Sequence, residues 1–179
     1  MAAISLADEA GAGPSAAPTH SEYEIESAML YNFTKFVVWP GSALGAAGAT
    51  VVAGVWGDDR MIPVLQAALR NKTICGHPVV VRRIDSSADA ISCAVLFVGG
   101  SDRKEIGRIL QSLGRSPVLT VGHRVQFSRM GGVIAFIRDG NRIRFEINVD
   151  AADRAGLEVS SKLLRLGAVW REAPPQARN

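Results

Sequence analysis

Apolar positions recur along the first part of the chain with the period of a helix. From Glu22 to Val38 they return every three or four residues, which predicts an amphipathic helix with one buried face. Ser21 is expected to cap this helix, with Glu24 three residues later completing a capping box. We expect the helix to end at Trp39-Pro40, because the residue before a proline disfavours helical dihedral angles.

Four short apolar runs follow and predict strands, and the first is typical of a strand that is buried on both faces. They occupy residues 50–56, 78–84, 93–98 and 117–121. A helix is predicted after the first run, from Gly57-Asp58-Asp59 to about Arg70, with the two aspartates as its cap. Another is predicted after the third run, ending at Leu113. Because helices or long links separate most of the strands, we expect them to be mostly parallel.

The pattern changes in the last third of the chain. Two strand-like runs, 132–137 and 142–147, flank Arg138-Asp139-Gly140-Asn141, and Asp-Gly in such a link favours a hairpin. Residues 151–170 return to helical spacing and predict one final helix. The predicted fold class is therefore α/β, a mixed, mostly parallel sheet flanked by helices, with a C-terminal antiparallel hairpin.

Composition is consistent with one globular domain, which we place at residues 21–170. Hydrophobic residues make up 47% of the chain and charged residues 21%, an ordinary balance for a folded core. Residues 1–20 are rich in small residues but lack the basic start and apolar centre of an intact signal peptide. We interpret them as a disordered tail or a signal-peptide remnant, and residues 171–179 as a polar C-terminal tail.

Charge and residue spacing argue against several classes of function. The net charge is only +3 and no dense basic block is present, so nucleic-acid binding is not expected. No run approaches the roughly 18 apolar residues that cross a bilayer. The three histidines show no metal-ligand spacing, and no catalytic constellation is visible. We therefore expect no enzymatic activity, no metal and no cofactor.

Cys75 and Cys93 are the only cysteines, and each stands just ahead of or at the start of a strand-like run. If the two strands are parallel, both cysteines lie at one end of the sheet, where a disulfide needs Cα atoms about 4.4–6.8 Å apart. If they form a hairpin, the cysteines are separated by about 20 Å. A single disulfide and an oxidising compartment are the prediction, with two free thiols as the alternative.

One segment has the position of an anion site. Gly99-Gly100-Ser101 joins a strand to a helix, with Arg103 and Lys104 close by, and helix N-termini favour negative charge. The alternative is a plain turn followed by a helix cap.

Two further sets of residues are candidates for contacts rather than chemistry. Trp39, Pro40 and Trp170 lie near element ends and are candidate anchors for a partner, the alternative being that they pack on the protein's own core. Arg144, Glu146 and Asn148 alternate along one strand and so face one way. We interpret these three as a polar network that holds the last helices, and Ser160 and Ser161 as part of the polar flank of the final helix.

An ordered set of segments resembles the YfiR-like family of bacterial periplasmic regulators. The segments are residues 28–36 with Trp39-Pro40, 95–98, 117–121, Phe127 with 131–134, and Arg144-Phe145-Glu146-Ile147-Asn148 leading to 155–164. They cover most of residues 22–169 in order, and the C-terminal block is the most specific of them.

The resemblance implies a periplasmic repressor. Such a protein binds the periplasmic sensing domain of a membrane-bound diguanylate cyclase, which lowers cyclic di-GMP and restrains biofilm formation. The family also implies redox modulation, for which this chain offers only Cys75 and Cys93, an outer-membrane lipoprotein as a further partner, and a tendency to form homodimers. The rival hypothesis is a small-ligand-binding sensor domain with its site near Gly99-Gly100-Ser101 or Gly57-Asp58.

Overall fold

The computed structural model describes residues 19–100, 102–124 and 126–172. The elements in chain order are α1 (His20–Thr34), β1 (Val37–Val38), β2 (Val51–Trp56), α2 (Met61–Leu69), β3 (Thr73–Ile74), β4 (His77–Arg83), α3 (Ser87–Ile91), β5 (Cys93–Val98), α4 (Arg103–Leu113), β6 (Leu119–Gly122), a 3₁₀ turn (Ser128–Met130), β7 (Ile134–Asp139), β8 (Arg142–Asn148), α5 (Val149–Arg154), β9 (Glu158–Val159), α6 (Ser161–Leu164) and β10 (Ala168–Trp170).

Eight of the strands form one sheet in the order β10-β8-β7-β6-β5-β2-β4-β3. The five inner strands from β4 to β7 are mutually parallel. Strand β3 is antiparallel to β4, strand β8 is antiparallel to β7, and β10 runs parallel to β8. Strands β1 and β9 form a separate antiparallel pair. The predicted fold class, including the C-terminal hairpin, is confirmed.

Helices cover both faces of the sheet. The larger core contains Leu30 and Phe33 of α1 and Leu65 of α2, which pack on one face. The smaller core contains Ile106 and Ile109 of α4 and lies on the other face, together with the 3₁₀ turn. Strand β5 lies between the two layers, and all six of its residues are buried. Burial on both faces explains why this strand is an uninterrupted apolar run.

The first helix begins and ends earlier than its sequence pattern predicts. Thr19, rather than Ser21, provides the capping box, and its backbone N–H donates to the Glu22 carboxylate at 2.5 Å. The helix ends at Thr34 because Val37 and Val38 leave it to pair with β9. Long-range strand pairing therefore overrides the local helical pattern over these last residues.

The single helix predicted over residues 151–170 is wrong. Helix α5 ends at Arg154, and Gly156 follows in a left-handed conformation with φ of +67°. The chain then forms β9, α6 and β10 in place of continuous helix. A glycine is required at position 167, just before β10, because a Cβ there would lie 2.4 Å from the ring of Phe145. The apolar residues that follow α5 at helical spacing therefore belong to three separate short elements, β9, α6 and β10.

Asn148 joins the end of β8 to the elements that follow it. Its side-chain oxygen accepts from the backbone N–H of Ala151 at 2.9 Å and caps α5, while its Nδ2 donates to the carbonyl of Ser128 at 2.7 Å. The Ser128 hydroxyl in turn donates to the Glu146 carboxylate. Asn148 is fully buried, so its hydrogen bonds replace the water it would otherwise contact.

The other residues predicted for this network have different positions. Arg144 is exposed and forms an ion pair with Asp139 at 2.7 Å, away from half-buried Glu146 and buried Asn148. Ser160 caps α6 by accepting from the backbone N–H of Lys162, and Ser161 is an exposed residue of that helix. The polar network therefore contains two of the three predicted strand residues, and Arg144 lies outside it.

Replacing Asn148 is expected to destabilise the fold strongly. Asn148→Ala removes the cap of α5 and the hydrogen bond from Nδ2 to the buried Ser128 carbonyl, which keeps its bond from the Gly131 N–H, and the two losses together cost about 1–3 kcal/mol of unfolding free energy. Urea denaturation measures the change. The matched control is Asn32→Ala, an exposed position on α1 that is expected to change stability by less than about 0.5 kcal/mol. A loss at Asn148 no larger than that of the control would contradict this role.

Candidate functional site

The carboxyl ends of three neighbouring parallel strands meet at one edge of the sheet. Strands β2, β5 and β6 are adjacent, and the chain leaves them at Gly57, Gly99 and His123. Ligand sites of open α/β sheets lie at such an edge. The residues that follow these three strands, together with the first half of α1, include two buried carboxylates, Glu26 and Asp58.

Asp58 is a buried carboxylate that joins α1 to the loop after β2. The Tyr23 hydroxyl donates to its Oδ2 at 2.5 Å. The Arg60 guanidinium donates to both carboxylate oxygens at 2.8 Å, and Arg60 also lies over the Tyr23 ring. Asp58 is thus held by one neutral and two charged donors, as a buried carboxylate requires.

These contacts change the protonation equilibria of both acidic groups. Burial alone would raise the pKa of Asp58, but the hydrogen bonds from Arg60 and Tyr23 outweigh it and hold that pKa below its usual value of 3.8. Burial also raises the pKa of Tyr23, and the hydrogen bond to the Asp58 carboxylate raises it further. The pair is therefore fixed as a neutral phenol and an ionised carboxylate at physiological pH.

Glu26 and His123 form the second half of this region. Glu26 Oε2 lies 3.5 Å from His123 Nδ1, and the two side chains are 5% and 14% exposed. Neither atom has a hydrogen-bond partner within the part of the chain that the structure describes. The His123 ring also packs edge-on against Phe97 and Tyr23, with centroid distances of 5.3 and 6.2 Å.

We call Tyr23, Glu26, Asp58, Arg60 and His123 the carboxyl-edge cluster. The carboxylate of Asp58 is fully engaged by its donors, so the arrangement joins elements rather than presenting a free base to a substrate. From the sequence, Asp58 was interpreted as a helix cap and, with Gly57, as one location for a small-ligand site, and His123 was considered only among the three histidines without metal-ligand spacing. The available signal was the placement of polar Glu26 three residues after Tyr23 on the buried face of α1.

The predicted anion site is filled by packing between the strand ends. A Cβ on Gly99 would lie 2.5 Å from Cβ of Asp58, and one on Gly100 would lie 3.2 Å from the Trp56 ring. The Gly100 carbonyl accepts from Nε of Arg124 at 3.1 Å. These glycines are required because the chain packs against itself here. Ser101 lies outside the described residues.

The predicted disulfide is absent, because Cys75 and Cys93 are both free thiols. Their strands do run parallel, as one alternative required, but β2 lies between β4 and β5. Two strand spacings separate β4 from β5 by about 10 Å, beyond the reach of a disulfide. Cys75 is exposed in the turn between β3 and β4, while Cys93 is buried and its thiol donates to the Asp89 carbonyl. The inference of an oxidising compartment from this pair therefore fails.

The three candidate anchor residues differ in exposure. Trp39 is 6% exposed and its indole N–H donates to the Ala94 carbonyl at 3.2 Å, so it belongs to the core and cannot serve as a surface anchor. Pro40 is exposed and Trp170 is half-buried on β10. The alternative that these residues pack on the protein's own core is therefore correct for Trp39.

The described residues contain neither a metal-binding group of side chains nor a helix that could cross a membrane. No group of three or more His, Cys, Asp or Glu side chains there has the arrangement of a metal site. Of the helices in residues 19–172 that are described, none is both long enough and apolar enough to cross a bilayer.

Comparison with protein families gives the class of this protein. A family model described as YfiR/HmsC-like matches residues 23–168. The chain belongs to the YfiR/HmsC-like family, whose members are periplasmic regulators rather than enzymes. Membership supports a regulatory role in cyclic di-GMP signalling.

Two solved structures share the fold. A conserved domain protein from Vibrio cholerae superposes with a TM-score of 0.57 at 12% identity, over 84% of this chain and 60% of that one. The ABC domain from Streptococcus pneumoniae, solved in complex with L-Trp, superposes with a TM-score of 0.52 at 11% identity, over 80% of this chain and 59% of that one. This chain thus spans about 60% of the length of either protein, and the likeness shows the fold alone.

The lowered pKa of Asp58 predicts a specific acid sensitivity. The native carboxylate binds fewer protons than the unfolded one, so its contribution is present above about pH 4 and is lost as the pH falls through the native pKa. Asp58→Asn lacks this contribution, so its unfolding free energy is expected to be lower at neutral pH and to fall less steeply below about pH 4.

Urea denaturation at several pH values measures the effect. The matched control is Asp153→Asn, an exposed residue of α5 that is expected to follow the wild-type pH profile. An Asp58→Asn profile parallel to that of the wild type would show that the native contacts do not favour the ionised form.

The two thiols are expected to differ widely in reactivity. Burial and the nearby Asp89 raise the pKa of Cys93 to about 11, which keeps the thiol protonated at pH 8. Intact mass after brief alkylation of the native, non-reduced protein should show one label, on Cys75, with Cys93 reacting at least about a hundredfold more slowly. In denaturant without reductant both should react. If neither cysteine is labelled in denaturant, the two form a disulfide and the assignment of free thiols is wrong.

Proposed function

We propose that this protein is a periplasmic repressor that binds the periplasmic sensing domain of a membrane-bound diguanylate cyclase. Holding the enzyme inactive lowers cyclic di-GMP and restrains biofilm formation. The observation that carries the proposal is the family match over residues 23–168, which includes nearly all of the described domain. An outer-membrane lipoprotein is proposed as the partner that relieves repression.

The sheet edge formed by β10 is the best-supported contact surface for the sensing domain of the cyclase. Within the described residues strand β10 pairs only with β8, so one of its edges has no strand partner there. Leu166 is 70% exposed and Val169 47% exposed, and Trp170 is half-buried beside them. An exposed apolar edge strand is a template on which a second chain adds a strand. We infer that the sensing domain pairs here, and that homodimers formed through the same edge would compete with it.

A small-ligand sensor is the second candidate function. Its support is the fold likeness to the pneumococcal domain that was solved with L-Trp. The packing of Gly99 and Gly100 against Asp58 and Trp56 speaks against the location first considered for a ligand. Thermal unfolding against a panel of amino acids and nucleotides tests this function, because a ligand that binds the native state must raise the melting temperature.

Binding to purified cyclase sensing domains tests the repressor proposal. Each membrane-bound diguanylate cyclase of the source genome supplies one domain, and isothermal titration measures Kd with the wild-type protein. Leu166→Asp with Val169→Asp should weaken the productive interaction at least about tenfold, because charge is placed in an apolar contact. The matched control, Ile25→Asp with Val80→Asp, alters two exposed apolar residues on other elements and should leave Kd within about threefold.

One outcome would contradict the repressor function, and another would contradict only the proposed contact surface. If no sensing domain binds the wild-type protein, under either oxidising or reducing conditions, the repressor function fails. If a domain binds but both double variants weaken it equally, the function stands and the β10 edge is not the contact surface.

A further inference from the structure

Positive charge is concentrated in one segment of the chain. Residues 102–131, which include α4, β6 and the 3₁₀ turn, contain six Lys and Arg residues but only two Asp and Glu residues. The rest of the chain contains 14 Lys and Arg residues against 15 Asp and Glu residues, by subtraction from the totals of 20 and 17. This one segment therefore accounts for the net positive charge of the whole protein.

Five of these six cations are exposed on α4 or next to it. Helix α4 buries Ile106, Ile109 and Leu113 against the sheet. Lys104 and Arg108 lie one helical turn apart on the opposite, exposed side.

Three further cations extend this surface at its ends. Arg103 begins α4, Arg115 follows the end of α4, and Arg129 lies on the 3₁₀ turn that contacts α4. All three are exposed. We call the residues Arg103, Lys104, Arg108, Arg115 and Arg129 the basic face.

No side chain of the basic face has an acidic partner among the described residues, a property that the basic face shares with exposed arginines such as Arg82 and Arg142. Six arginines elsewhere form ion pairs with carboxylates, namely Arg60, Arg83, Arg138, Arg144, Arg154 and Arg171. Among the described residues, no ion pair involves a member of the basic face, and Arg103 donates only to the Gln126 side chain at 3.3 Å. Its charges are therefore available to an external anion.

The chemistry of the basic face fits a lipid surface better than a protein interface. Protein interfaces have an apolar core from which charged residues are depleted. Among the exposed large apolar residues of the described structure, Ile91 on α3 is the one on an element packed against α4. A row of cations without an apolar core matches a layer of phosphate headgroups, and arginine favours phosphate through paired donors.

We propose that the basic face binds the headgroups of an anionic phospholipid bilayer. Contact would be electrostatic and reversible, with α4 lying along the membrane surface and no segment inserted. This inference does not depend on the identity of a protein partner. Docking on lipid would raise the local concentration of the protein beside any membrane-bound target.

Vesicle co-sedimentation tests the proposal with the full-length protein. The probe is a vesicle of about one third phosphatidylglycerol in phosphatidylcholine, compared with pure phosphatidylcholine, at low ionic strength. Wild-type protein should sediment with the anionic vesicles alone, and raising the salt to about 0.5 M should release it because the interaction is screened.

Charge reversal locates the binding surface. Lys104→Glu with Arg108→Glu should weaken vesicle binding at least about tenfold, since two charges change sign and the net charge at the membrane falls by four units. The control, Arg82→Glu with Arg142→Glu, makes the same change in net charge at two exposed arginines on β4 and β8 and should retain most of the binding. Circular dichroism melts of both variants establish that each one folds.

Three results would overturn the proposal. The first is no preference of the wild-type protein for anionic vesicles. The second is equal loss of binding in both double variants, which would reflect net charge rather than this face. The third is binding to soluble poly-glutamate without binding to vesicles, which would assign the basic face to an acidic protein surface instead.

Discussion

The burial of β5 on both faces is the constraint on which the rest of the fold depends. Every residue of Cys93–Val98 is inaccessible, so the strand requires a helical layer on each side and a parallel neighbour on each edge. Helices α1 and α2 form one layer, and α3 and α4 form the other. The carboxyl ends of β2, β5 and β6 then meet at one edge, where glycines let the strand ends touch and Asp58 joins them to α1.

The sequence predicted best those elements whose burial comes from a continuous apolar run. Strands β2 and β5 lie within a residue of their predicted positions, since the residues of a strand covered on both faces are apolar. Strand β4 also lies within a residue of its predicted position, although its residues are half-buried or exposed. The pattern failed for residues 151–170, where helical spacing concealed two helices and two strands. The reason is physical: β9 and β10 exist because β1 and β8 accept them, and such pairing partners lie far away in sequence.

The candidate site was less predictable, because its members come from separate elements. Tyr23, Asp58 and His123 belong to α1, the loop after β2 and the loop after β6, and nothing local in the sequence indicates that they meet. Gly99 and Gly100 were interpreted as part of an anion site, with a plain turn as the alternative, because a glycine pair does not reveal whether a ligand or another part of the chain approaches it. The spacing of Cys75 and Cys93 likewise gave no sign that β2 would lie between their strands.

The β10 edge and the outer side of α4 are proposed to have different roles. Among the described residues, the β10 edge has exposed apolar side chains and one side without a strand partner, as strand addition by a partner requires. The outer side of α4 has cations that lack acidic partners in the same part of the chain, which suits a charged layer.

The most direct measurement of the central claim is the cyclic di-GMP concentration in cells that lack this protein. If the protein represses a diguanylate cyclase from the periplasm, its loss should raise cyclic di-GMP, and a copy directed to the periplasm should restore the original concentration. A copy confined to the cytoplasm should not restore it. Cyclic di-GMP that is unchanged by the loss, or restored equally by the cytoplasmic copy, would contradict periplasmic repression.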